Sequence, residues 1–397
     1  MEKKIPLLTL FSLLLIGSAC QHSSLAQKPK NVVFVIVDGM GPEQVKAGRI
    51  FLGNQPLSFE QFPYQSTVTT HNIDKTVTDS AAAATAMATG QKVKNRTISP
   101  GKTILEYFKE QGKSTGIVTN ALLTDATPAG FAAHAQFRSD TNDILRSYLE
   151  KTQPNLIAGA DEPGYLKQVK ASPAGYRIIQ SNTQLENLKT QIKAGQKFDH
   201  VYAGFGMYPL IAGHFDRETA LPLEITDPSY FAQKDIPHIS QLAESSLEIL
   251  NQNPKGFFVM IESGLVDWVG HKNTEFGDGI QHPNAMQTLA YEMAETNRLV
   301  QKVTQWAKSH PDTLVIVTAD HETGGLQIDE SNTACLGKTG CLANAKWTSG
   351  FYPESIEKYS LHTGVPVGVY ATGPGSEAFA KPMDNTEFMN KILGETL

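Results

Sequence analysis

The chain alternates short apolar runs with amphipathic helical stretches, and this alternation limits its fold more than any other sequence feature. Five runs rich in Val, Ile and Phe are bounded by Gly, Pro or polar residues, as buried strands of a parallel sheet are. The runs are 31–38, 114–119, 257–262, 313–320 and 365–370, and helical patterns occur at 103–111, 238–250 and 285–309. The sequence therefore predicts an α/β fold with a doubly wound, mostly parallel central sheet flanked by helices on both faces.

Two segments interrupt this alternation. Residues 154–237 are rich in Gly, Pro and polar residues, and residues 329–352 also lack a clear period. We interpret both as surface insertions in a single domain that spans 27–397, because they break the alternation of strands and helices.

The N-terminus has the layout of a secretory signal. Lys3 and Lys4 precede an apolar run from Ile5 to Ala19, which is too short to span a bilayer as a helix. Cleavage after residue 26, at Ser-Leu-Ala, would release a periplasmic or secreted protein. Cleavage after residue 19 would instead expose Cys20, whose surroundings resemble a lipoprotein box and would give a lipid-anchored protein. The sequence predicts export and leaves both cleavage sites open.

Composition excludes one class of partner. The chain has 34 basic and 40 acidic residues, a formal net charge of -6, and no cluster of Lys and Arg. Nucleic acids require a concentrated basic surface, so we expect no nucleic-acid-binding role.

Two cysteines follow Cys20 in the chain. Cys335 and Cys341 bracket five residues, a loop short enough to close, and disulfides persist in exported proteins. A bridge between them and a pair of free thiols are equally compatible with the sequence.

Two polar residues lie at the ends of predicted elements. Asp38 ends the first strand and precedes Gly39, which leaves the backbone free to turn at the edge of the sheet. Ser80 begins an alanine-rich helical segment that stops at Gly90. Ser80 could cap this helix, and the small side chains of the first turns would also let a phosphate reach the helix N-terminus.

The segment 78–90, with Ser80 before four alanines, resembles the alkaline phosphatase family, and further motifs follow in the family's order. They are Asp125-Ala-Thr-Pro-Ala with Arg138, Glu262-Ser-Gly-Leu-Val-Asp-Trp-Val-Gly-His271, Thr318-Ala-Asp-His-Glu322 and His362-Thr-Gly. The resemblance implies hydrolysis of small phosphate monoesters through a phosphoserine at Ser80, with Arg138 gripping the phosphate. It also implies broad monoester use and a homodimer.

The resemblance implies three metal ions as cofactors. Zinc takes histidine nitrogen and carboxylate oxygen, whereas magnesium prefers hard oxygen ligands and keeps several waters. The implied ligands are Asp267, His271 and His362 for one Zn²⁺, Asp38, Asp320 and His321 for a second Zn²⁺, and Asp38, Thr127 and Glu262 for one Mg²⁺. Asp38 would then belong to two sites.

Two residues near these ligands vary within the family. This chain pairs Asp125 with Trp268, whereas the best-known bacterial form has a lysine after the cluster's aspartate. Without that positive charge, the sequence does not decide how strongly phosphate binds or which metal ion occupies the third site. The other eight histidines, including His134 and His214, occupy no ligand position in the motifs, and we expect them to be structural.

Rival functions differ in how well the residues fit them. A sulfatase of the same superfamily would need an Arg shortly after its modified residue, and Ser80 is followed by four alanines instead. A phosphodiesterase of the same superfamily remains an alternative, as does an exported zinc- or phosphate-binding protein without turnover.

Overall fold

A computed structural model describes residues 28–206, 235–271, 285–329, 337–342, 344–350 and 360–394. The strands are β1 (Asn31–Val37), β2 (Tyr64–Thr69), β3 (Ser114–Leu122), β4 (Leu156–Ala160), β5 (Arg177–Ile179), β6 (Val201–Phe205), β7 (Phe257–Ser263), β8 (Thr313–Thr318), β9 (Glu322–Thr323), β10 (Leu326–Ile328), β11 (Ala345–Trp347), β12 (His362–Thr363), β13 (Val367–Thr372) and β14 (Met383–Asp384). The α-helices of the described residues are α1 (Pro42–Phe51), α2 (Ser80–Thr89), α3 (Ile104–Glu110), α4 (Ala126–Ala132), α5 (Thr141–Arg146), α6 (Tyr165–Ala171), α7 (Asn182–Lys193), α8 (Ile239–Leu250), α9 (Leu265–His271), α10 (Ala285–Lys308) and α11 (Glu387–Leu393).

Ten strands form one central sheet in the order β14-β2-β13-β8-β1-β7-β3-β4-β6-β5. Neighbouring strands run parallel except β13, which is antiparallel to both β2 and β8. Strands β1, β7 and β8 are buried along their whole length, as their continuous apolar sequences predict. The prediction of a mostly parallel α/β sheet is confirmed.

Helices cover both faces of this sheet. Phe257 of β7 packs against Trp306 of α10, whereas the next residue, Phe258, packs against Phe108 of α3 and Phe131 of α4. Successive residues of a strand point to opposite faces, so α10 lies on one face and α3 and α4 lie on the other.

The segment 154–206 extends the sheet, although the sequence analysis listed no strand in it. It supplies β4, β5 and β6, which form one end of the sheet. The sequences of β4 and β6, Leu-Ile-Ala-Gly-Ala and Val-Tyr-Ala-Gly-Phe, lack the branched apolar run that marks the central strands. Gly159 permits the close pairing, because a Cβ there would lie 2.7 Å from Thr119 Cγ2. Residues 207–234, the rest of the predicted insertion, lie outside the described residues.

The structure bears only in part on the predictions for the cysteine pair, the signal segment and a membrane span. Cys341 is disulfide-bonded, and Cys335 lies outside the described residues. The predicted signal segment, with Cys20, also lies outside them. Of the helices that the structure describes, none combines the length and the apolar character needed to cross a bilayer.

Candidate active site

The site lies at the carboxyl edge of the three central strands. β1 lies between β7 and β8 in the sheet, and all three are parallel. Asp38 follows the end of β1, Asp320 and His321 follow β8, and Glu262 is the next-to-last residue of β7. Because parallel strands end at one edge, residues that are far apart in sequence meet there.

The first group of side chains, the Asp267 cluster, consists of Asp267, His271 and His362. Asp267 and His271 are four residues apart on α9, so they share one helix face, with His271 Nε2 lying 3.3 Å from Asp267 Oδ2. His362 lies on β12, which pairs with β9. Its Nε2 lies 3.0 Å from His271 Nε2.

Hydrogen bonds to backbone carbonyls fix both imidazoles of the Asp267 cluster. His271 Nδ1 lies 2.6 Å from Ser360 O, and His362 Nδ1 lies 3.0 Å from Thr78 O. A carbonyl oxygen only accepts, so each Nδ1 carries the hydrogen and each neutral ring has its lone pair on Nε2. Two lone pairs and a carboxylate oxygen therefore converge on one point, which is the arrangement that a cation requires.

The second group, the Asp320 cluster, consists of Asp38, Asp320 and His321 and is fully buried. His321 Nε2 lies 3.2 Å from Asp320 Oδ2 and 3.5 Å from Asp38 Oδ1. Among the described residues, neither of these oxygens has a hydrogen-bond partner. Ligands of a tetrahedral zinc ion at 2.0–2.1 Å lie about 3.3–3.4 Å apart, which matches these separations.

Ser80 stands beside the Asp320 cluster. Its Oγ lies 3.2 Å from His321 Nε2, and the residue is the first of α2. The helix cap is Asp79, whose carboxylate accepts from the backbone N–H of Ala82 at 3.0 Å. Because Asp79 caps the helix, the Ser80 hydroxyl is not needed for capping and faces the Asp320 cluster.

The alanine run of α2 has a packing role that the sequence analysis did not assign. A Cβ on Gly130 of α4 would lie 2.7 Å from the Cβ of Ala84, so only very small residues fit where α2 meets α4. Every residue of α2 is buried. The small side chains therefore let α2 sit close to α4, which also carries Thr127.

Thr127, Glu262 and Asp38 bring hard oxygens together. Thr127 Oγ1 donates to Asp38 Oδ2 at 3.2 Å, and the same hydroxyl lies close enough to Glu262 to act on the pKa of that carboxyl. Thr119 also donates to Glu262. This oxygen-only set adjoins the Asp320 cluster through Asp38, and its chemistry suits magnesium.

Arg138 is oriented by two carboxylates. Its Nη1 donates to Asp79 Oδ2 at 3.3 Å, and its Nη2 donates to Asp125 Oδ1 at 3.0 Å. Each terminal nitrogen carries two hydrogens, so a second hydrogen on each can be donated to an anion. Sequence reasoning missed Asp79, although an Asp just before a helix start is a common capping signal.

Trp268 was predicted near the ligands, whereas His134 was expected to be structural. Trp268, one residue after Asp267, is partly buried and packs against the hydrophobic core. His134 bonds to Ser99 O and Glu106 through its two ring nitrogens and belongs to neither cluster. Sequence reasoning also missed Thr323, whose hydroxyl contacts both Asp267 and His321.

The buried carboxylates of the site repel one another. Burial and the negative charges of Asp320 and Asp267 raise the pKa of Asp38 well above its usual value. Burial, with Asp267 next, raises the pKa of Asp320 to about 7, and burial with Asp125 raises that of Glu262 to about 8. Bound cations would remove this electrostatic penalty.

The histidines are held mostly neutral, as metal ligands must be. Burial, together with the positive charge of His271, lowers the pKa of His362 to about 4. Burial and His362 lower the pKa of His321 well below its usual range. His271 differs: burial lowers its pKa, but the carboxylate of Asp267 outweighs burial and raises it.

These pKa shifts predict how pH acts on the metal-free protein. A carboxyl whose pKa is raised by folding stabilises the fold below its unfolded pKa, near 4, and that stability is lost as pH rises through the folded pKa. For Asp320 and Glu262 the folded pKa values are about 7 and about 8. We therefore expect the Tm of chelator-treated protein to fall between about pH 4 and pH 8.

Zinc-loaded protein should not show this fall, because bound cations compensate the carboxylates. The gap in Tm between loaded and chelated protein should thus widen with pH in calorimetry. A constant gap from pH 5 to pH 8 would mean that these carboxylates do not share a site with a cation.

Taken together, the sheet and its edge define a class: an α/β protein with two adjoining groups of candidate metal ligands beside a serine and an arginine. The chain belongs to the alkaline phosphatase family, whose model, described as "Alkaline phosphatase", matches residues 29–158 and 184–353. Members of this family are metal-dependent.

Relatives agree with this membership, and a solved structure shares the fold. Alkaline phosphatase 4 of Bacillus subtilis (strain 168) is 30% identical over 92% of this chain and 88% of its own length. Alkaline phosphatase 3 of the same organism is 29% identical over 99% of this chain and 96% of its own. The solved alkaline phosphatase of the Antarctic bacterium TAB5 has the same fold, with a TM-score of 0.69 at 24% identity over 93% of this chain and 98% of that one.

Proposed function

We propose that this protein is an alkaline phosphatase that hydrolyses phosphate monoesters to an alcohol and inorganic phosphate through a phosphoserine at Ser80. The observation that carries the proposal is the position of Ser80 Oγ, 3.2 Å from His321 Nε2. The same nitrogen faces Asp38 Oδ1 and Asp320 Oδ2, two carboxylate oxygens without a hydrogen-bond partner in the part of the chain that the structure describes. A hydroxyl placed among metal ligands is the arrangement that activates a serine nucleophile.

The Asp267 and Asp320 clusters would each hold one zinc ion, and Asp38, Thr127 and Glu262 would hold one magnesium ion. When bound, the zinc ions supply positive charge to the entering and leaving oxygens of an in-line displacement at phosphorus. The ligands fit these ions in kind: histidine nitrogen with carboxylate in the clusters, and oxygen alone in the third set.

The chain's own residues would act in two steps. Ser80 Oγ forms a bond to phosphorus, the ester P–O bond breaks, and the alcohol leaves with the proton that the serine gave up. A water molecule then displaces Ser80 Oγ from phosphorus, which restores the serine and releases phosphate. The N-terminus of α2, where Ser80 lies, favours the negative charge that the phosphoryl group carries in both steps.

Arg138→Lys should weaken phosphate binding without removing metal. Lysine has the charge but not the planar fork that Asp79 and Asp125 hold in place. We expect the inhibition constant of inorganic phosphate and the KM to rise by roughly 10- to 100-fold, the cost of about one charged hydrogen bond. Zinc content by elemental analysis should stay the same, and an unchanged phosphate inhibition constant would contradict the role of Arg138.

Trp268→Lys should strengthen phosphate binding, whereas Arg138→Lys should weaken it. Trp268 follows Asp267 directly, so a lysine there would add positive charge next to the Asp267 cluster. We expect tighter inhibition by inorganic phosphate and slower product release. Trp268→Met, which is uncharged, is the control, and equal inhibition constants for the two variants would show that charge at this position has no effect.

One pair of assays tests the proposed reaction. Monoester and diester substrates of the same phenol are compared before and after treatment with a chelator, at alkaline pH and with metal content measured. The proposal expects a strong preference for the monoester that the chelator abolishes and zinc restores. A preference for the diester would favour a phosphodiesterase, and phosphate binding without hydrolysis would favour a non-catalytic binding protein.

We also propose that residues 1–26 are a signal peptide, that the exported protein is a single domain spanning 27–397, and that it forms a homodimer. The charged and apolar layout of the N-terminus supports export, and family membership supports the dimer. Mass analysis of the mature N-terminus separates cleavage near residue 26 from lipid attachment at Cys20, and light scattering gives the oligomeric state.

A further inference from the structure

Thr323 joins the two clusters through one hydroxyl group. Its Oγ1 donates to Asp267 Oδ1 and lies 3.2 Å from His321 Nδ1. Asp267 belongs to one cluster and His321 to the other, and Thr323 itself is fully buried. The residue has no part in the reaction steps proposed above.

The chemistry of this hydroxyl decides where the hydrogens lie. A threonine hydroxyl has one hydrogen, and the carboxylate of Asp267 can only accept, so the hydrogen is donated to Asp267. Only lone pairs then remain for His321, and Nδ1 must carry the hydrogen of the imidazole. The lone pair of His321 is thereby placed on Nε2, the atom that faces Ser80, Asp38 and Asp320.

The surroundings of Thr323 hold it in this position. Its backbone N–H donates to Gly39 O at 3.2 Å, and its backbone pairs with His362 between β9 and β12. A Cβ on Gly270 would lie 2.8 Å from Thr323 Cγ2, so the methyl group also has no room to move. These contacts hold Thr323 beside residues of both clusters.

We propose that Thr323 is a positioning residue that couples the two metal clusters, because it fixes the orientation of Asp267 and the tautomer of His321 with one hydroxyl. The proposal rests on the two-zinc site proposed above. Its consequence is that removal of the hydroxyl weakens zinc binding at both clusters together. A hydrogen bond that served only one ligand would affect one cluster.

The test measures zinc affinity by competition with a chelator, independently of turnover. Thr323→Val keeps the shape but removes the hydroxyl, and Thr323→Ser restores it. We expect Thr323→Val to weaken zinc binding by about 10- to 100-fold at both clusters, the range for hydrogen-bond partners of metal ligands, and Thr323→Ser to bind zinc as the wild type does. Thr318→Val is the matched control, since Thr318 is equally buried, lies two residues from Asp320 and donates to the backbone carbonyls of Ala319 and Gly368.

Three outcomes would overturn the coupling: wild-type affinity at both clusters in Thr323→Val, a loss at one cluster only, or an equal loss in Thr318→Val. If Thr323→Val does not fold, ring-¹⁵N spectra of the zinc-loaded wild type decide, since a protonated Nδ1 on His321 supports the proposal and its absence overturns it. A wild-type protein that binds no zinc would instead refute the two-zinc site, and the coupling with it.

Discussion

Ser80→Ala is expected to lower kcat for a phosphate monoester by at least about 10³-fold, because the variant lacks the oxygen that would form the proposed covalent intermediate. The fold should tolerate the change, since Asp79 caps α2 and the Ser80 hydroxyl contacts His321. Zinc should stay bound, because the carboxylate and imidazole ligands of both clusters remain.

The measurement is steady-state turnover together with elemental analysis of the same preparation. Trapping at low pH with labelled substrate should show phosphate attached to the wild type and none attached to the variant. Ser246→Ala is the control, since this buried hydroxyl bonds to Leu242 O within α8. Turnover of Ser80→Ala near the wild-type rate would refute the assignment of the nucleophile.

Asp320→Asn is expected to have the next largest effect. It should lower zinc binding and activity, and it should raise the stability of the metal-free protein. Asp320 Oδ1 accepts from the backbone N–H of His321 at 3.0 Å, and an amide oxygen can replace it there. Oδ2 lies 3.2 Å from His321 Nε2, and an amide nitrogen in its place would donate to that ring and occupy its lone pair. The variant should therefore lose zinc at the Asp320 cluster.

Activity of Asp320→Asn should fall by at least about 10³-fold, since several kcal/mol of charge stabilisation are lost with the ion. The metal-free variant should nevertheless be more stable than the metal-free wild type above pH 7, because a buried carboxyl with a pKa of about 7 is gone. Zinc content, turnover and the Tm of chelated protein check these three results.

Asp161→Asn is the control for the Asp-to-Asn exchange itself, because this half-buried carboxylate follows β4, accepts a hydrogen bond from Tyr202 and belongs to neither cluster. Lower stability of the metal-free variant would contradict the account of charge repulsion.

The centre of the sheet could be predicted from the sequence because its strands are buried on both faces. β1, β7 and β8 are continuous apolar runs for this reason. β2 alternates exposed residues with half-buried or buried ones, and β4 and β6 use Ala and Gly for close pairing, so none of these has the same signal. Their place in the sheet depends on neighbours that are distant in sequence.

The candidate site was predictable to a similar extent. Strand ends point to Asp38 and Asp320, and the spacing of Asp267 and His271 places both on one helix face. His362, Thr127 and Arg138 entered the predicted set only through resemblance to a family. Asp79 and Thr323 were missed because each acts through hydrogen bonds to another side chain, which depend on the three-dimensional arrangement.

Anomalous X-ray diffraction at the zinc absorption edge tests the central claim most directly, namely that the two clusters hold a pair of cations beside Ser80. The account predicts two strong peaks about 4 Å apart, one within about 2.0–2.2 Å of ligand atoms from Asp267, His271 and His362, the other equally close to Asp38, Asp320 and His321. Crystals of zinc-replete, active protein without a peak at either cluster, or with both peaks away from Ser80, would contradict it.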